Sequence, residues 1–236
     1  MMTTKTCACL GEGMVEISGR PGAMTIRYGG DVMNTAIYLS RAGARCRFLS
    51  ALGTDAYSEA MLAMLGDEGV DAGGVARDPR RMPGLYLIRT DESGERSFDY
   101  WRSDSAARAY FRSGAFLDDL EREMTGAALL YFSGITLSLM TAEDVSQFCK
   151  RARRWRDAGK EIAFDPNYRP AGWASEEEAR RAMEEAAQVI TIALPTIDDD
   201  ARLFGGASAE ECARRWRGWG AGVVAVKCGE QGAYAS

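Results

Sequence analysis

Compact apolar runs separated by amphipathic stretches give this chain its outline. Thr6 to Leu10, Cys46 to Leu52, Ala127 to Phe132, Glu161 to Phe164, Val189 to Leu194 and Val223 to Lys227 are short and mostly apolar, the pattern of strands buried on both faces. Helical periodicity fills the intervals. Thr35 to Ala42 carries Ala36, Ile37, Leu39 and Ala42 and stops at Gly43; Tyr57 to Glu68 sets Met61, Leu62 and Leu65 on one face ahead of Gly69; Leu117 to Met124 forms another helix. Three more helices announce their starts, because Thr141 with Asp144, Ser175 with Glu178 and Ser208 with Glu211 each place a hydroxyl three residues before an acid. The first of these carries Val145, Phe148, Cys149 and Ala152 and ends at Gly159. Strands alternating with helices predict an α/β fold with a mostly parallel sheet.

Two stretches break that rhythm. Met14 to Ser18 and Met24 to Tyr28 read as short strands around a turn at Gly19 to Gly22. Leu85 to Thr90 and Arg96 to Arg102 read as a hairpin joined by Asp91-Glu92-Ser93-Gly94. Strand parity puts Phe98, Tyr100 and Arg102 on one face and Ser97, Asp99 and Trp101 on the other. A phenol beside a guanidinium suits capture of a carboxylate or phosphate; the same pattern also suits an ordinary amphipathic edge hairpin. Between the two stretches, Tyr28-Gly29-Gly30-Asp31 runs into a helical pattern. Paired glycines there make either a tight turn or a cradle in which a ligand lies against the backbone.

Composition narrows the chemistry. With 236 residues, 46% hydrophobic and 27% charged, the chain suits one large α/β domain or one domain with a small appendage. A net charge of -5 argues against nucleic acid and anionic membrane as partners and leaves small molecules as the default. No apolar run is long enough to span a bilayer, and Met1 to Leu10 lacks the features of a signal peptide, so the expected location is cytoplasmic. The six cysteines, Cys7, Cys9, Cys46, Cys149, Cys212 and Cys228, lack CxxC spacing and read as buried thiols. There are no histidines, which excludes Ser-His-Asp and Cys-His catalysis and His-ligated metals; a general base must be Asp, Glu, Lys or Tyr. Gly11-Glu12-Gly13 follows the first strand, but Glu16 stands where a dinucleotide fingerprint needs its third glycine. In parallel sheets ligands lie beyond the carboxyl ends of strands, and those ends carry Gly11-Glu12, Ser133-Gly134, Asp165-Pro166-Asn167, Pro195-Thr196 and Cys228-Gly229.

Several segments, taken together, resemble the ribokinase-like sugar kinases, the phosphofructokinase-B family, and within it the 2-keto-3-deoxygluconate kinases. They are Gly11-Glu12-Gly13-Met14-Val15-Glu16, Tyr28-Gly29-Gly30-Asp31 through Asn34, Ala51-Leu52-Gly53-Thr54-Asp55, Pro83-Gly84-Leu85-Tyr86, Gly94-Glu95-Arg96-Ser97-Phe98 with Tyr100-Trp101-Arg102, Ser133-Gly134-Ile135, and Phe164-Asp165-Pro166-Asn167-Tyr168-Arg169-Pro170. The resemblance implies a three-layer α/β/α sandwich with a small β lid formed by residues 14–30 and 84–102. It implies ATP-dependent, Mg-assisted phosphorylation of the 6-hydroxyl of 2-keto-3-deoxygluconate. Gly29, Gly30 and Asn34 would hold sugar hydroxyls, Tyr86 and Tyr100 would close over the sugar, and Arg102 with Arg169 would bind its carboxylate end. Asp165, Asn167, Lys227, Gly229 and Gly232 fall on the nucleotide and phosphate side, and Asp199 falls near the family's magnesium motif, whose two defining residues differ here.

The family's catalytic Asp sits in a Gly-Ala-Gly-Asp helix start, which the resemblance places beyond Ser236. This chain alone is therefore expected to show little activity, as an incomplete kinase domain. A kinase for fructose or another sugar or sugar acid, and a non-catalytic sugar-acid binding fragment, are the alternatives. Lid pairing between subunits in the family implies a homo-oligomer through the β lid.

Overall fold

The computed structural model describes residues 5–20, 22–90, 94, 96–206 and 208–236. The turn expected at Gly19 to Gly22 includes Pro21, and the loop expected at 91–94 includes Asp91, Glu92 and Ser93; these four residues lie outside the described ones. Two compact units divide the chain, one holding residues 9–116 and the other 5–8 with 117–236.

The first unit takes the end of β1 (Thr6–Leu10), then β2 (Met14–Arg20), β3 (Ala23–Gly29), α1 (Asp31–Arg41), β4 (Arg45–Leu52), α2 (Ala56–Asp67), β5 (Val75–Arg77), β6 (Gly84–Thr90), β7 (Arg96–Trp101) and α3 (Ala106–Arg112). Its four-stranded sheet runs β3-β2-β6-β7. β2 pairs antiparallel with β3 and parallel with β6, and β6 pairs antiparallel with β7. The register sets Glu16, Arg27, Tyr86 and Tyr100 side by side across the sheet. Adjacent to α1, β4 pairs parallel with β5, and its Phe48, Leu49 and Leu52 are buried, as are Val32, Met33 and Ala36 of α1.

α1 starts earlier than the expected Thr35. Gly30 is its N-cap, so Asp31, Val32 and Met33 form the first turn, and the Asn34 N–H bonds to the Gly30 carbonyl at 2.8 Å. Asp31 in that turn complements the helix dipole. α3 and β5, which the hydrophobic pattern did not announce, are short, and α3 is capped by Ser105.

The second unit holds most of α4 (Ala115–Gly126), then β8 (Ala127–Ser133), α5 (Gly134–Ser138), α6 (Ala142–Asp157), β9 (Glu161–Asp165), α7 (Glu176–Ala187), β10 (Ile192–Ala193), α8 (Ile197–Phe204), α9 (Ala209–Gly218), β11 (Val223–Lys227) and β12 (Ala233–Ala235). β8, β9, β10 and β11 are mutually parallel in that order, and β12 closes antiparallel on β11. Phe132 of β8 lies 4.8 Å from both Phe148 and Phe164, and Phe164 lies 6.0 Å from Trp216, so an aromatic chain ties two parallel strands to α6 and α9.

The expected hydroxyl caps are present at Thr141, Ser175 and Ser208. The strand expected over Val189 to Leu194 shrinks to Ile192–Ala193, because the C-cap of α7 reaches Gln188 and Val189 still bonds back to Ala186. Five cysteines are buried; Cys228 is partly exposed, because it sits past the end of β11 rather than inside it, which corrects the reading of all six as buried. Among the described residues no helix is long and apolar enough to cross a membrane.

Candidate active site

In the first unit the chemistry gathers where β3 ends and α1 begins. A Cβ on Gly29 would stand 2.5 Å from the Tyr86 hydroxyl, so only glycine admits that phenol. The Tyr86 hydroxyl donates to Glu16 Oε2 at 2.5 Å. Burial, helped by the Glu16 carboxylate, raises the phenol's pKa well above its usual range, so it stays a protonated donor. Its ring lies 6.0 Å from Tyr100 and 6.5 Å from Phe98, and those two stack 6.4 Å apart. Phe98 and Tyr100 are nearly half exposed, leaving a flat aromatic surface open beside the glycines. Asn34 is exposed in the first part of α1.

Gly30 has a φ of 144°, and a Cβ there would meet the Glu12 carbonyl oxygen at 2.2 Å. Conformation and space both demand glycine. Glu12, just past β1, is itself fully buried, with its side chain 1% exposed. Ser105 donates to its Oε1 at 2.6 Å, and Arg102 Nη2 lies 2.5 Å from its Oε2. Arg102 and Glu12 thus form a buried ion pair. Burial raises the Glu12 pKa, with Asp31 adding to the push, against the lowering pull of Arg102 and Ser105. Arg102 thus enters the site already matched to a carboxylate. Neither Glu12 nor Glu16 was singled out in the sequence as a site residue, although Glu12 stood among the strand ends.

The second unit brings together the residues expected on the nucleotide side and one expected at the sugar. Lys227 Nζ bonds Asp165 Oδ2 at 2.6 Å, and the Asn167 N–H donates to Asp165 Oδ1 at 3.2 Å. Asn167 has a φ of 33°, a left-handed conformation Asn tolerates better than most. Asp199 Oδ2 accepts the Tyr168 N–H at 3.2 Å and stands 3.5 Å from Arg169 Nη1, which donates to the Tyr168 carbonyl at 2.7 Å. Arg169 is 55% exposed. Gly229 and Gly232, with φ of 57° and 85°, form the exposed turn after β11. A Cβ on Gly134 would stand 1.9 Å from the Pro166 carbonyl, so the start of α5 lies directly against the Asp165-Pro166-Asn167 turn.

The sequence profile of the pfkB family carbohydrate kinases matches residues 5–236. The chain is a pfkB family carbohydrate kinase. Among curated relatives, the kinase is 37% identical over 232 residues to the 2-dehydro-3-deoxygluconokinase of Dickeya dadantii, an alignment covering 97% of this chain and 74% of that one. To the 2-dehydro-3-deoxygluconokinase of Haemophilus influenzae it is 38% identical over 234 residues, with the same coverage of 97% and 74%. Among solved structures, a PfkB protein from Polaromonas sp. JS666 superposes with a TM-score of 0.85 at 30% identity, covering 99% of the kinase and 79% of that chain. The α/β architecture with its mostly parallel sheet is that of the ribokinase-like kinases.

Proposed function

We propose that this kinase transfers a phosphoryl group from ATP to the 6-hydroxyl of 2-keto-3-deoxygluconate, the sugar acid also called 2-dehydro-3-deoxygluconate. The observation that carries the reading is the similarity along 97% of the chain to two 2-dehydro-3-deoxygluconokinases. The geometry of the first unit supports it. Gly29 and Gly30 leave backbone bare, Tyr86 and Tyr100 offer a flat apolar wall, and the Tyr86 proton is committed to Glu16, so its oxygen is left to accept from a ligand hydroxyl. Residues 14–30 and 84–102 act as the lid in this reading. Asn34 takes a sugar hydroxyl and Arg102 takes the carboxylate, with Arg169 assigned to the carboxylate on the strength of the resemblance.

Lys227, Asp165, Asn167, Gly229 and Gly232 belong to the phosphate side. ATP supplies the transferred group, and magnesium on its phosphates offsets their charge. Phosphate and water would carry most of the cation's coordination, with Asp199 the one protein carboxylate proposed for it. No residue of this chain is assigned as the base. Ile26 and Trp101, 48% and 59% exposed, favour self-association through the lid sheet, to be read as a dimer mass by light scattering.

Calorimetric titration with 2-keto-3-deoxygluconate and with fructose tests the substrate. The sugar acid should bind more tightly, and Arg102→Ala should weaken it about tenfold, the worth of one charge-assisted hydrogen bond. Equal binding of the two sugars would overturn the reading.

A further inference from the structure

Glu12 touches three parts of the proposed acceptor site and has no role in it so far. Its carbonyl oxygen excludes a Cβ from Gly30, its Oε1 lies 2.8 Å from where a Cβ on Gly84 would stand, and its Oε2 meets Arg102. Gly84 opens β6, the strand of Tyr86, and Arg102 follows β7. The carboxylate cannot shift to follow a moving guanidinium. Ser105 donates to it at 2.6 Å while accepting the Arg108 N–H at 3.1 Å as the N-cap of α3, so Glu12 is anchored to a helix start. Arg102 carries the opposite condition: its side chain is 17% exposed, and its buried Nε has no hydrogen-bond acceptor among the described residues.

We propose that Glu12 is a positioning residue for Arg102, fixing the guanidinium in one orientation to meet the substrate carboxylate. This rests on the reading that Arg102 meets that carboxylate. An arginine at the end of a lid strand would otherwise sample many rotamers, each to be lost on binding. With one edge held by a buried carboxylate, that ordering is done before the ligand arrives, and the guanidinium offers directed donors rather than a loose charge. Selectivity for the acid over its neutral congener then depends on Glu12 although Glu12 itself touches no ligand.

The test is a double-mutant cycle on the 236-residue chain, read by calorimetry with 2-keto-3-deoxygluconate and with 3-deoxyfructose, in which a CH2OH replaces the C1 carboxylate. Glu12→Gln keeps the shape and an acceptor for Ser105 and removes the charge. It should weaken the sugar acid about tenfold, leave 3-deoxyfructose unchanged, and have no further effect once Arg102 is Ala. Equal loss for both ligands, or loss that adds fully to that of Arg102→Ala, would mean a purely structural role and overturn the proposal. Unchanged affinity in Glu12→Gln beside weakened binding in Arg102→Ala overturns the proposal alone. No effect of Arg102→Ala, or no binding of the sugar acid by the unsubstituted chain, overturns both the proposal and the reading beneath it. If Glu12→Gln does not fold, Ser105→Ala, which loosens the same carboxylate, carries the test. A several-fold loss confined to the sugar acid supports the proposal, and unchanged selectivity overturns it.

Discussion

Lys227 Nζ stands 2.6 Å from Asp165 Oδ2, so the ends of β11 and β9 are tied across the short β10 that separates them. The pair joins the strand end that carries the Asp165-Pro166-Asn167 turn to the strand end that carries Gly229 and Gly232. Lys227 is 44% exposed and Asp165 15%, so water screens the pair on one side only. Lys227→Met should cost about 1 kcal/mol. A thermal melt should record a drop of roughly 2–4 °C. An unchanged melt would mean that the pair contributes little to the fold.

Gly30→Ala is expected to be far more damaging than its size suggests. The φ of 144° strains any L side chain, and the new Cβ would sit 2.2 Å from a backbone oxygen that cannot rotate away. A loss on the order of 2 kcal/mol or more follows. Denaturant titration should show a lower midpoint with an unchanged slope. Gly43→Ala gives a control with a positive φ of 89° and no atom within 4 Å of the new Cβ, and it should cost less.

Asp55 caps α2 by accepting the N–H groups of Tyr57 and Ser58 at 3.0 and 3.1 Å and the Ser58 hydroxyl at 2.7 Å. Asp55→Ala should destabilise by about 1 kcal/mol, and Asp55→Ser, which retains a capping oxygen, by less. Equal losses for the two variants would show that capping is not what Asp55 supplies.

Asp71 predicts a pH dependence. The Gly73 N–H, at 2.8 Å, and Arg47, at 2.7 Å, together lower its pKa despite partial burial. A depressed carboxylate binds protons less readily folded than unfolded. Its contribution is therefore complete above the usual Asp value of about 3.9 and is lost as pH falls below it through the folded value. Melting temperature measured from pH 6 down to pH 3 should fall less steeply in Asp71→Asn than in the parent chain, and parallel curves would refute the assignment.

The strands of this fold are legible where burial on both faces makes an unbroken apolar run, as at Ala127 to Phe132 within β8. Helix starts are legible where a hydroxyl cap precedes an acid, as at Thr141. Other elements lack both signals, whereas α8 has Thr196 three residues before Asp199 and still escapes, its N-cap making no side-chain bond. β12 is a three-residue edge strand exposed at both of its ends, and α1 begins on a glycine whose role as N-cap depends on a backbone angle rather than a side chain. In the site, strand parity foretells that Phe98 and Tyr100 share a face, on which the two rings stack, because a period of two is local. The partners of Tyr86 and Arg102 lie 70 and 90 positions earlier in the chain, at Glu16 and Glu12, and only the folded register brings them across. A glutamate between two glycines looks like turn chemistry until its burial is known.

Glu12 also carries a consequence for how related sequences should diverge. Its side chain answers to Gly84, Arg102 and Ser105, whereas Gly30 is constrained by its carbonyl, which every amino acid possesses. Among homologues, then, replacement of the glutamate should be accompanied by compensating change at positions 84, 102 and 105, inherited as a block. Position 30 should stay glycine whatever occupies position 12. The same residue would thus leave two evolutionary signatures, correlated substitution through its carboxylate and strict invariance through its main chain.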